Sequence, residues 1–575
     1  MKRMNNREVA HIFETVADML AIRGDNIHRV LAYRRAGESI RELNRDLNQI
    51  YAEGKLTDIP GIGSTLAEKI EEMLTTGKLE FFDRVAEDVP PGLVELLRID
   101  GVGPKRVRQF YDELGITNVD GLKAAANDGR LSQLSGFGKR SQERLLTSIS
   151  ALEKHGDDRL PLGTAWPIAH EILDKIGELP GVMAAEVAGS IRRMRETTGD
   201  IDLLVAAVDS EPVMDHFRSM SNVETVLGSG PTKTSVLLLN GVQVDLRVLP
   251  VERWGTLLSY FTGSKDHNVR LRERALKRGY SLSEHSFTPA DGGDEILCPT
   301  EEDVYSFLGL PYIHPTLREN RGEIEAAEQD QLPKLVQIGD LQADLHVHST
   351  WSDGQATIIE MAQAASERGY HYIVISDHSA SLGIANGLTV ERLMLQADEI
   401  LEADEEMGPD FRVFHGTEME ILSDGSLDFP DEVLEELDFV IASLHTGLRQ
   451  SRAQVTDRLL AAIENPNVDM IAHPTGRLLV DRPGADLDME RIILAAADNR
   501  TVLEINANPQ RLDLTDKWVR RSIDLGVTLA INTDAHHPDH LDFIHYGVGI
   551  AQRGWATAEI ILNCSSIDGF IAYTK

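Results

Sequence analysis

The stretch from residue 341 to 575 is the most restrictive part of this sequence. Short apolar runs recur there, separated by helix-length polar-apolar stretches: "YIVISDHS", "FRVFHGTEMEI", "DFVIASLHT", "DMIAHPT", "TVLEINA" and "TLAINTDAH". Runs of this length, alternating with helices, predict parallel strands in a barrel-like α/β domain. In such a domain functional side chains collect at the C-terminal ends of the strands. Most of these runs close on a histidine or a carboxylate. The stretch opens with "ADLHVHSTWSDG", in which His346 and His348 are two residues apart on a strand and so share a face. Adding Asp353, His378, Glu418, His445, His473, Asp534 and His536 gives nine candidate ligands. Nine ligands suffice for three divalent metals, with imidazole and carboxylate together suiting Zn²⁺, Mn²⁺ or Fe²⁺. Metal ions held this way acidify a water and stabilise charge on a phosphoryl oxygen. Two neighbours are candidates for lesser roles. Arg477 could pair with a substrate phosphate, and Asp377 precedes His378; a structural salt bridge is the alternative reading of either. His537 and His540 are read as surface residues.

A second carboxylate cluster lies upstream. "GSIRRMRETTGDIDLLV" (189–205) places Asp200 and Asp202 on one face of a predicted strand, and "VQVDLRV" supplies Asp245 on another. Three converging carboxylates bind a pair of Mg²⁺ or Mn²⁺ ions, which serve a primer 3′-hydroxyl and a triphosphate. Gly189 and Ser190 at a turn, with Arg193 nearby, offer N–H groups, a hydroxyl and a cation to phosphates. Around them "VMAAEVAG", "DIDLLVAAV", "KTSVLLLN" and "VQVDLRVLP" read as strands.

The first 150 residues repeat one pattern three times: "LTDIPGIGSTLAEKI", "LLRIDGVGPKRVRQF" and "LSQLSGFGKRSQERLL". Each is a short helix, a Gly-x-Gly turn and a second helix, with glycines at Gly61/Gly63, Gly101/Gly103 and Gly136/Gly138. The N–H groups of the second helix can take a phosphate oxygen. This helix-hairpin-helix pattern grips a DNA backbone without reading its sequence, with Lys105 beside the second turn.

Composition excludes several classes. Only two cysteines occur, Cys298 and Cys564, so neither a disulfide framework nor a thiolate zinc site is expected. No apolar run approaches 18 residues, and no membrane span is expected. The net charge of −36 is heaviest in the C-terminal part and does not preclude local basic patches that hold DNA.

The motifs carry a resemblance. G-S-x-R-R, then G-D-x-D from Gly199, then a separate aspartate, resemble the family X DNA polymerases over residues 1–318. The resemblance implies that Tyr260, Phe261 and Gly263 of "YFTGSKDHNVRLRERAL" line the nucleotide sugar pocket. It further implies that Asn268 contacts the base and Arg272 the template. Met194 departs from the family's glycine, and Lys265 from an acid in polymerase beta. "DNIHRVLAYRRAGESI" and "GIGSTLAEKIEEML" resemble the family's deoxyribose-phosphate lyase domain. There Lys69 would form a Schiff base, helped by Arg29, Arg34 or Arg35, and His28, Arg29 and Tyr33 would hold the 5′-phosphate and sugar. Residues 341–575 resemble the polymerase-and-histidinol-phosphatase (PHP) phosphoesterases, and the whole resembles the bacterial and archaeal members of family X that join both halves.

The expected fold is multidomain. A helical lyase-like domain (1–85) and a fingers-like helical domain (86–155) precede an α/β nucleotidyltransferase palm (156–250). A thumb-like nucleotide-binding subdomain (251–318), a connector (319–340) and a distorted (β/α)7 PHP barrel (341–575) complete it. The expected function is gap-filling DNA synthesis in repair, coupled to 3′→5′ exonuclease or other 3′-end processing. Lyase or abasic endonuclease activity is a further expectation. Gapped or primed double-stranded DNA and dNTPs are the expected partners of a cytoplasmic, nucleoid-associated monomer. The rival reading is a template-independent nucleotidyltransferase fused to a small-molecule phosphatase. The three helix-hairpin-helix repeats weigh against it, since small substrates need no backbone grip.

Overall fold

The computed structural model describes residue 4 and residues 6–41, 47–59, 61–99, 102–131, 134, 138, 142, 145 and 159–574. They fall into two compact units, Met1–Asp157 and Asp158–Lys575.

The first unit is helical. Helices α1 (Asn6–Arg23), α2 (Ile27–Arg41), α3 (Ser64–Thr76), α4 (Glu80–Asp88) and α5 (Pro104–Leu114) pack around Phe13, Leu20, Ile70, Met73, Val107 and Phe110. Helix α3 buries Leu66, Ile70, Met73 and Leu74, one face at helical spacing. It starts after Gly63 and stops at Gly77 in the left-handed region. Helix α5 repeats the design, with Gly103 before it, Pro104 at its first position and left-handed Gly115 after it. Gly101 and Gly136 lie outside the described residues, as does most of the third repeat.

The second unit begins with α6 (Leu162–Gly177), which packs on a five-stranded sheet. Its strands are β1 (Val182–Val187), β2 (Ile201–Ala207), β3 (Val223–Ser229), β4 (Lys233–Leu238) and β5 (Gln243–Leu249), in the order β1-β2-β5-β4-β3. Strands β2 and β5 are parallel, with Asp202 opposite Asp245. The sequence reading finds four of these strands. It misses β3, whose "VETVLGS" carries a glycine and alternates half-buried and exposed positions. Asp200 is also displaced from its expected place, in the bend just ahead of β2 rather than on the strand.

Between β1 and β2 lies the four-residue helix α7 (Gly189–Arg192). After β5 come α8 (Trp254–Thr262), whose Leu257 and Leu258 pack on Leu204 and Leu249 of the palm sheet, and then α9 (Lys265–Lys277) and α10 (Glu301–Phe307), around a separate core of Leu271, Phe287, Tyr305 and Leu317.

Residues 319–340, expected to be a charged connector, are folded. They carry helix α11 (Glu323–Glu328), and two of their carboxylates, Glu319 and Glu323, are buried in ion pairs, while Arg321, Glu325, Glu328 and Asp330 stay exposed. Glu323, fully buried, accepts from His267 Nδ1 at 2.6 Å.

Seven parallel strands follow, paired in sequence order: β6 (Ala343–Val347), β7 (Tyr372–Ile375), β8 (Arg412–Glu420), β9 (Phe439–Ser443), β10 (Met470–Ile471), β11 (Val502–Asn506) and β12 (Leu529–Asn532). A bridge from Val347 to Ala535 brings the last strand beside the first. Alternation along the strands divides one face in two. Tyr372, Phe414 and Phe439 share a face with His378, Glu418 and His445 further along the same runs. The rings of the first three pack against Phe570 at 5.0, 5.0 and 5.4 Å. One end of the barrel is therefore an aromatic plug, and the other is lined with ionisable groups. Helices α12 (Asp516–Asp524) and α13 (Ile544–Arg553) lie outside it.

Candidate metal centres

The nine predicted ligands meet at the C-terminal ends of the barrel strands. Glu418 is their hub. Its Oε2 lies 2.9 Å from His378 Nδ1, 3.3 Å from His346 Nε2 and 3.6 Å from His348 Nε2. Its Oε1 lies 2.9 Å from His473 Nε2 and 3.4 Å from His445 Nε2. Asp534 Oδ1 approaches His348 Nε2 at 3.3 Å, and Asp353 Oδ1 approaches His536 Nε2 at 3.3 Å and His378 Nε2 at 3.6 Å. Three overlapping groups result: His348, Asp353, His378 and His536; His346, His348 and Asp534; and His378, Glu418 and His445.

These residues fit metal ions on an observation independent of sequence. His346 Nε2, both nitrogens of His348 and His473, His378 Nδ1 and both Glu418 oxygens are buried without a hydrogen-bond partner among the described residues. Buried polar atoms are rarely left so, and among them His346, His348 and His473 Nε2 and His378 Nδ1 each lie within 3.6 Å of a Glu418 oxygen.

Protonation agrees. Burial, reinforced by neighbouring His536 and His378, pushes His348 down to about 3, so the ring is neutral, as a metal ligand must be. Burial alone would raise Glu418, but His445, His378 and His346 outweigh it and hold the carboxyl well below its ordinary value.

Sequence reasoning missed the groups that orient these ligands. His346 Nδ1 donates to Glu504 at 2.8 Å, and His445 Nδ1 lies 3.0 Å from Glu420. Each carboxylate fixes the tautomer that turns Nε2 inward. Glu504 sits in the "TVLEINA" run and Glu420 two residues past Glu418, so strand alternation could have found both. Arg511, its Nε 3.3 Å from Asp534 Oδ2, was also missed. Two ligands, His473 (φ 25°) and Asp534 (φ 55°), hold left-handed backbone, strain of the sort that gathers at functional sites.

Several expectations around the barrel change. Arg477 pairs with Glu196 at 2.7 Å and donates to the Arg511 and Leu512 carbonyls, so it ties barrel to palm instead of facing a phosphate. Asp377 is fully buried and accepts from Ser349, Ser352 and Gln396, a structural role. His537 and His540 are partly exposed, with 41% of the His537 side chain accessible, and His540 Nδ1 accepts from the His536 N–H at 3.2 Å.

The palm carboxylates form a second cluster. Burial, then the Asp200 and Asp245 charges, raise the Asp202 carboxyl to about 7, so the three acids sense one another. Lys233 Nζ lies 2.5 Å from Asp245 Oδ2. Gly189 has φ 60°, and a Cβ there would sit 2.7 Å from Asp202 Oδ2. The Ser190 hydroxyl bonds Thr198 at 2.6 Å, and Gly199 lies in the bend before Asp200.

Arg193 is not a free cation. Its guanidinium donates to Glu319 at 3.1 Å and to the Thr262 carbonyl at 2.5 Å. Met194 is left-handed (φ 53°), which gives a physical reason for a glycine at that place in relatives.

In the nucleotide segment Asn268 donates to the Tyr260 carbonyl at 2.6 Å, and Arg247 stacks over Phe261 at 4.2 Å. Tyr260, Asn268 and Arg272 line one small pocket with Thr256, Ser259 and Leu282. Gly263, at φ 73°, lies against Arg193, and Lys265 opens α9.

In the helical unit Lys69 Nζ sits 5.1 Å from the Phe81 ring, which Arg29 (5.0 Å) and Arg84 (5.7 Å) also face. Tyr33 is buried between Phe13 and Phe81, so its ring is core rather than an exposed sugar contact. His28, Gly61, Gly63, Gly103, Lys105 and Gly138 are exposed.

A helical hairpin unit, a palm with clustered aspartates and a His-rich barrel together define a polymerase of family X joined to a PHP phosphoesterase domain. Comparison with known proteins agrees part by part. Residues 4–79 match the helix-hairpin-helix domain and 93–150 the SAM-like helix-hairpin-helix tandem. Residues 257–319 match the DNA polymerase beta thumb and 344–508 the PHP domain. Asp534 and His536 lie beyond that last match. The chain is 38% identical over 574 residues, all of both chains, to DNA polymerase/3′-5′ exonuclease PolX of Bacillus subtilis (strain 168). It is 27% identical to DNA polymerase lambda of Rattus norvegicus over 55% of this chain and 56% of that one, and 25% identical to the Arabidopsis thaliana protein of the same name over 54% and 61%. The chain belongs to the PolX family.

Proposed function

We propose that this protein fills short gaps in DNA at its palm and trims 3′ ends at its barrel. The carrying observation is that one chain holds two separate acid clusters of different chemistry. One has three aspartates and no histidine; the other has imidazoles gathered around Glu418. The full-length likeness to a protein named for both activities supports the pairing.

At the palm Asp200, Asp202 and Asp245 would hold Mg²⁺ or Mn²⁺. Ser190, Gly189 and Arg193 would receive the triphosphate, and Tyr260, Phe261, Gly263, Asn268 and Arg272 the nucleotide and template. At the barrel the nine ligands would hold three ions of Zn²⁺, Mn²⁺ or Fe²⁺. When bound, divalent cations stabilise phosphoryl charge and acidify a water or hydroxyl. The residues themselves do the positioning. Glu418 would offer both carboxylate oxygens to the ions, Glu504 and Glu420 set the imidazole tautomers, and burial keeps His348 unprotonated. The helical hairpins would hold primed or gapped duplex by its phosphates.

The test is one assay on a gapped, end-labelled primer. Asp200→Ala/Asp202→Ala should abolish extension and leave trimming, and His346→Ala should do the reverse. Survival of both activities in both variants would refute the assignments.

A third activity is proposed for the helical unit, abasic-sugar lyase chemistry at Lys69. The supporting geometry is Lys69 Nζ 5.1 Å from the Phe81 ring, which the Arg29 and Arg84 guanidinium groups also face; an amine so placed is the nucleophile that an abasic aldehyde needs. Borohydride should trap the wild-type protein on abasic DNA and fail to trap Lys69→Ala; equal trapping of both would discard the role.

A further inference from the structure

Helix α13 belongs to the barrel, yet its last turn holds the palm. Arg553 Nη1 donates to the backbone carbonyl of Arg193 at 2.7 Å and to Glu319 Oε1 at 2.9 Å. The same Glu319 oxygen accepts from Arg193 Nε at 3.1 Å. Arg553 Nη2 donates to Asp516 of α12 at 2.7 Å, and Asp516 also accepts from Arg321 at 2.9 Å. Arg553 is 3% exposed and Glu319 10%. Charges alternate along this path: Arg193, Glu319, Arg553, Asp516, Arg321.

A second contact is independent of charge. One helical turn before Arg553, Gly549 receives the Met194 side chain. A Cβ on Gly549 would lie 2.5 Å from Met194 Cε, 2.7 Å from its Cγ and 2.8 Å from its Cβ. Positions four apart on a helix share a face, so one face of α13 fixes two successive residues, Arg193 and Met194. Those residues close the turn that begins at Gly189 and Ser190. The Arg193 guanidinium, held by Glu319, is anchored at its other end by the Thr262 carbonyl, next to Gly263. Three parts of the chain therefore converge on one arginine: palm turn, nucleotide segment and barrel helix.

The geometry points to Arg553 and Glu319 as positioning residues for nucleotide binding, through which the barrel domain sets the place of Arg193 at the polymerase site. Arg553 touches no reacting atom; it acts through the Arg193 carbonyl and the shared Glu319. Truncating it leaves Glu319 to Arg193 and the more distant, more exposed Arg195 and leaves Asp516 with one partner fewer. The nucleotide-binding turn then loses its register while the nine barrel ligands, none of which Arg553 contacts, keep theirs.

This rests on the palm being a polymerase site, and the experiment separates the two ideas. Full-length wild type, Arg553→Gln, Arg553→Lys and Gly549→Ala are compared on gapped primer for KM(dNTP), kcat and nucleotide-free trimming. In Arg553→Gln, KM(dNTP) should rise about tenfold with a much smaller change in kcat, and trimming should match wild type. Arg553→Lys should recover part of the loss, since one ammonium cannot serve Glu319 and Asp516 together. Gly549→Ala, which moves Met194 without altering charge, should raise KM(dNTP) in the same direction. Unchanged KM(dNTP) in both Arg553→Gln and Gly549→Ala would overturn the inference, as would parallel loss of extension and trimming in Gly549→Ala. If Arg553→Gln fails to fold, Gly549→Ala decides alone. Wild type that incorporates no nucleotide would instead overturn the polymerase reading itself.

Discussion

Asp202 shows at the scale of one residue how the palm is poised. Its folded pKa of about 7, set by burial and by Asp200 and Asp245, lies well above the roughly 4 of an unfolded aspartate. The native state therefore binds more protons, and stability falls as pH rises between those values. Above pH 7 the full repulsion is present in protein without divalent ions. Asp202→Asn should raise stability at pH 8 by roughly 4 kcal/mol, and the gain should vanish near pH 4. Chemical denaturation in EDTA at the two pH values measures this, and a gain equal at both would contradict it. The same repulsion is what a cation relieves. Individual residues were also where sequence reading was strongest at the barrel, because alternation alone aligns His346 with His348. It was weakest for Glu504 and Arg477. The Glu504 carboxylate lies on a strand run whose alternation was passed over, whereas an arginine that ties two parts of a chain carries no spacing signal of its own.

Among elements, the turn from Gly189 to Met194 carries the most. Gly189 at φ 60° brings its backbone against Asp202, where a Cβ would sit 2.7 Å from the carboxylate oxygen. Gly189→Ala adds a left-handed penalty of roughly 1–2 kcal/mol and displaces the Asp202 carboxylate. Extension should fall on the order of a hundredfold with trimming unchanged, measured on the same primer. Extension at the wild-type rate would show that the close approach is dispensable. The strands of palm and barrel were legible because apolar runs of this length, bounded by turns, have few other solutions. Strand β3 was not, since its glycine and half-exposed pattern resemble a loop. Residues 319–340 misled for an electrostatic reason. Charged sequence reads as solvated, yet Glu319 and Glu323 are buried because Arg193, Arg553 and His267 meet them. Burial raises Glu319, and Arg553, Arg193 and Arg195 more than reverse it, to about 2.

The whole molecule joins a centre suited to making phosphodiester bonds with one suited to breaking them. The core of the second unit runs without interruption from α6 and the palm sheet into the barrel, and the Arg477–Glu196 pair and the α13 contacts join the same two parts. Sequence motifs announced both centres separately. Their physical connection was invisible, because it depends on Arg553, Gly549 and Glu319 meeting across hundreds of residues. The central claim is that two distinct sets of side chains hold divalent cations. Anomalous diffraction from crystals of the full chain soaked in Mn²⁺ with a non-hydrolysable dNTP tests it most directly. The expected result is manganese peaks inside the cage of nine barrel ligands around Glu418, and others beside Asp200, Asp202 and Asp245. Peaks missing from either set, or cations bound only at surface carboxylates, would contradict it.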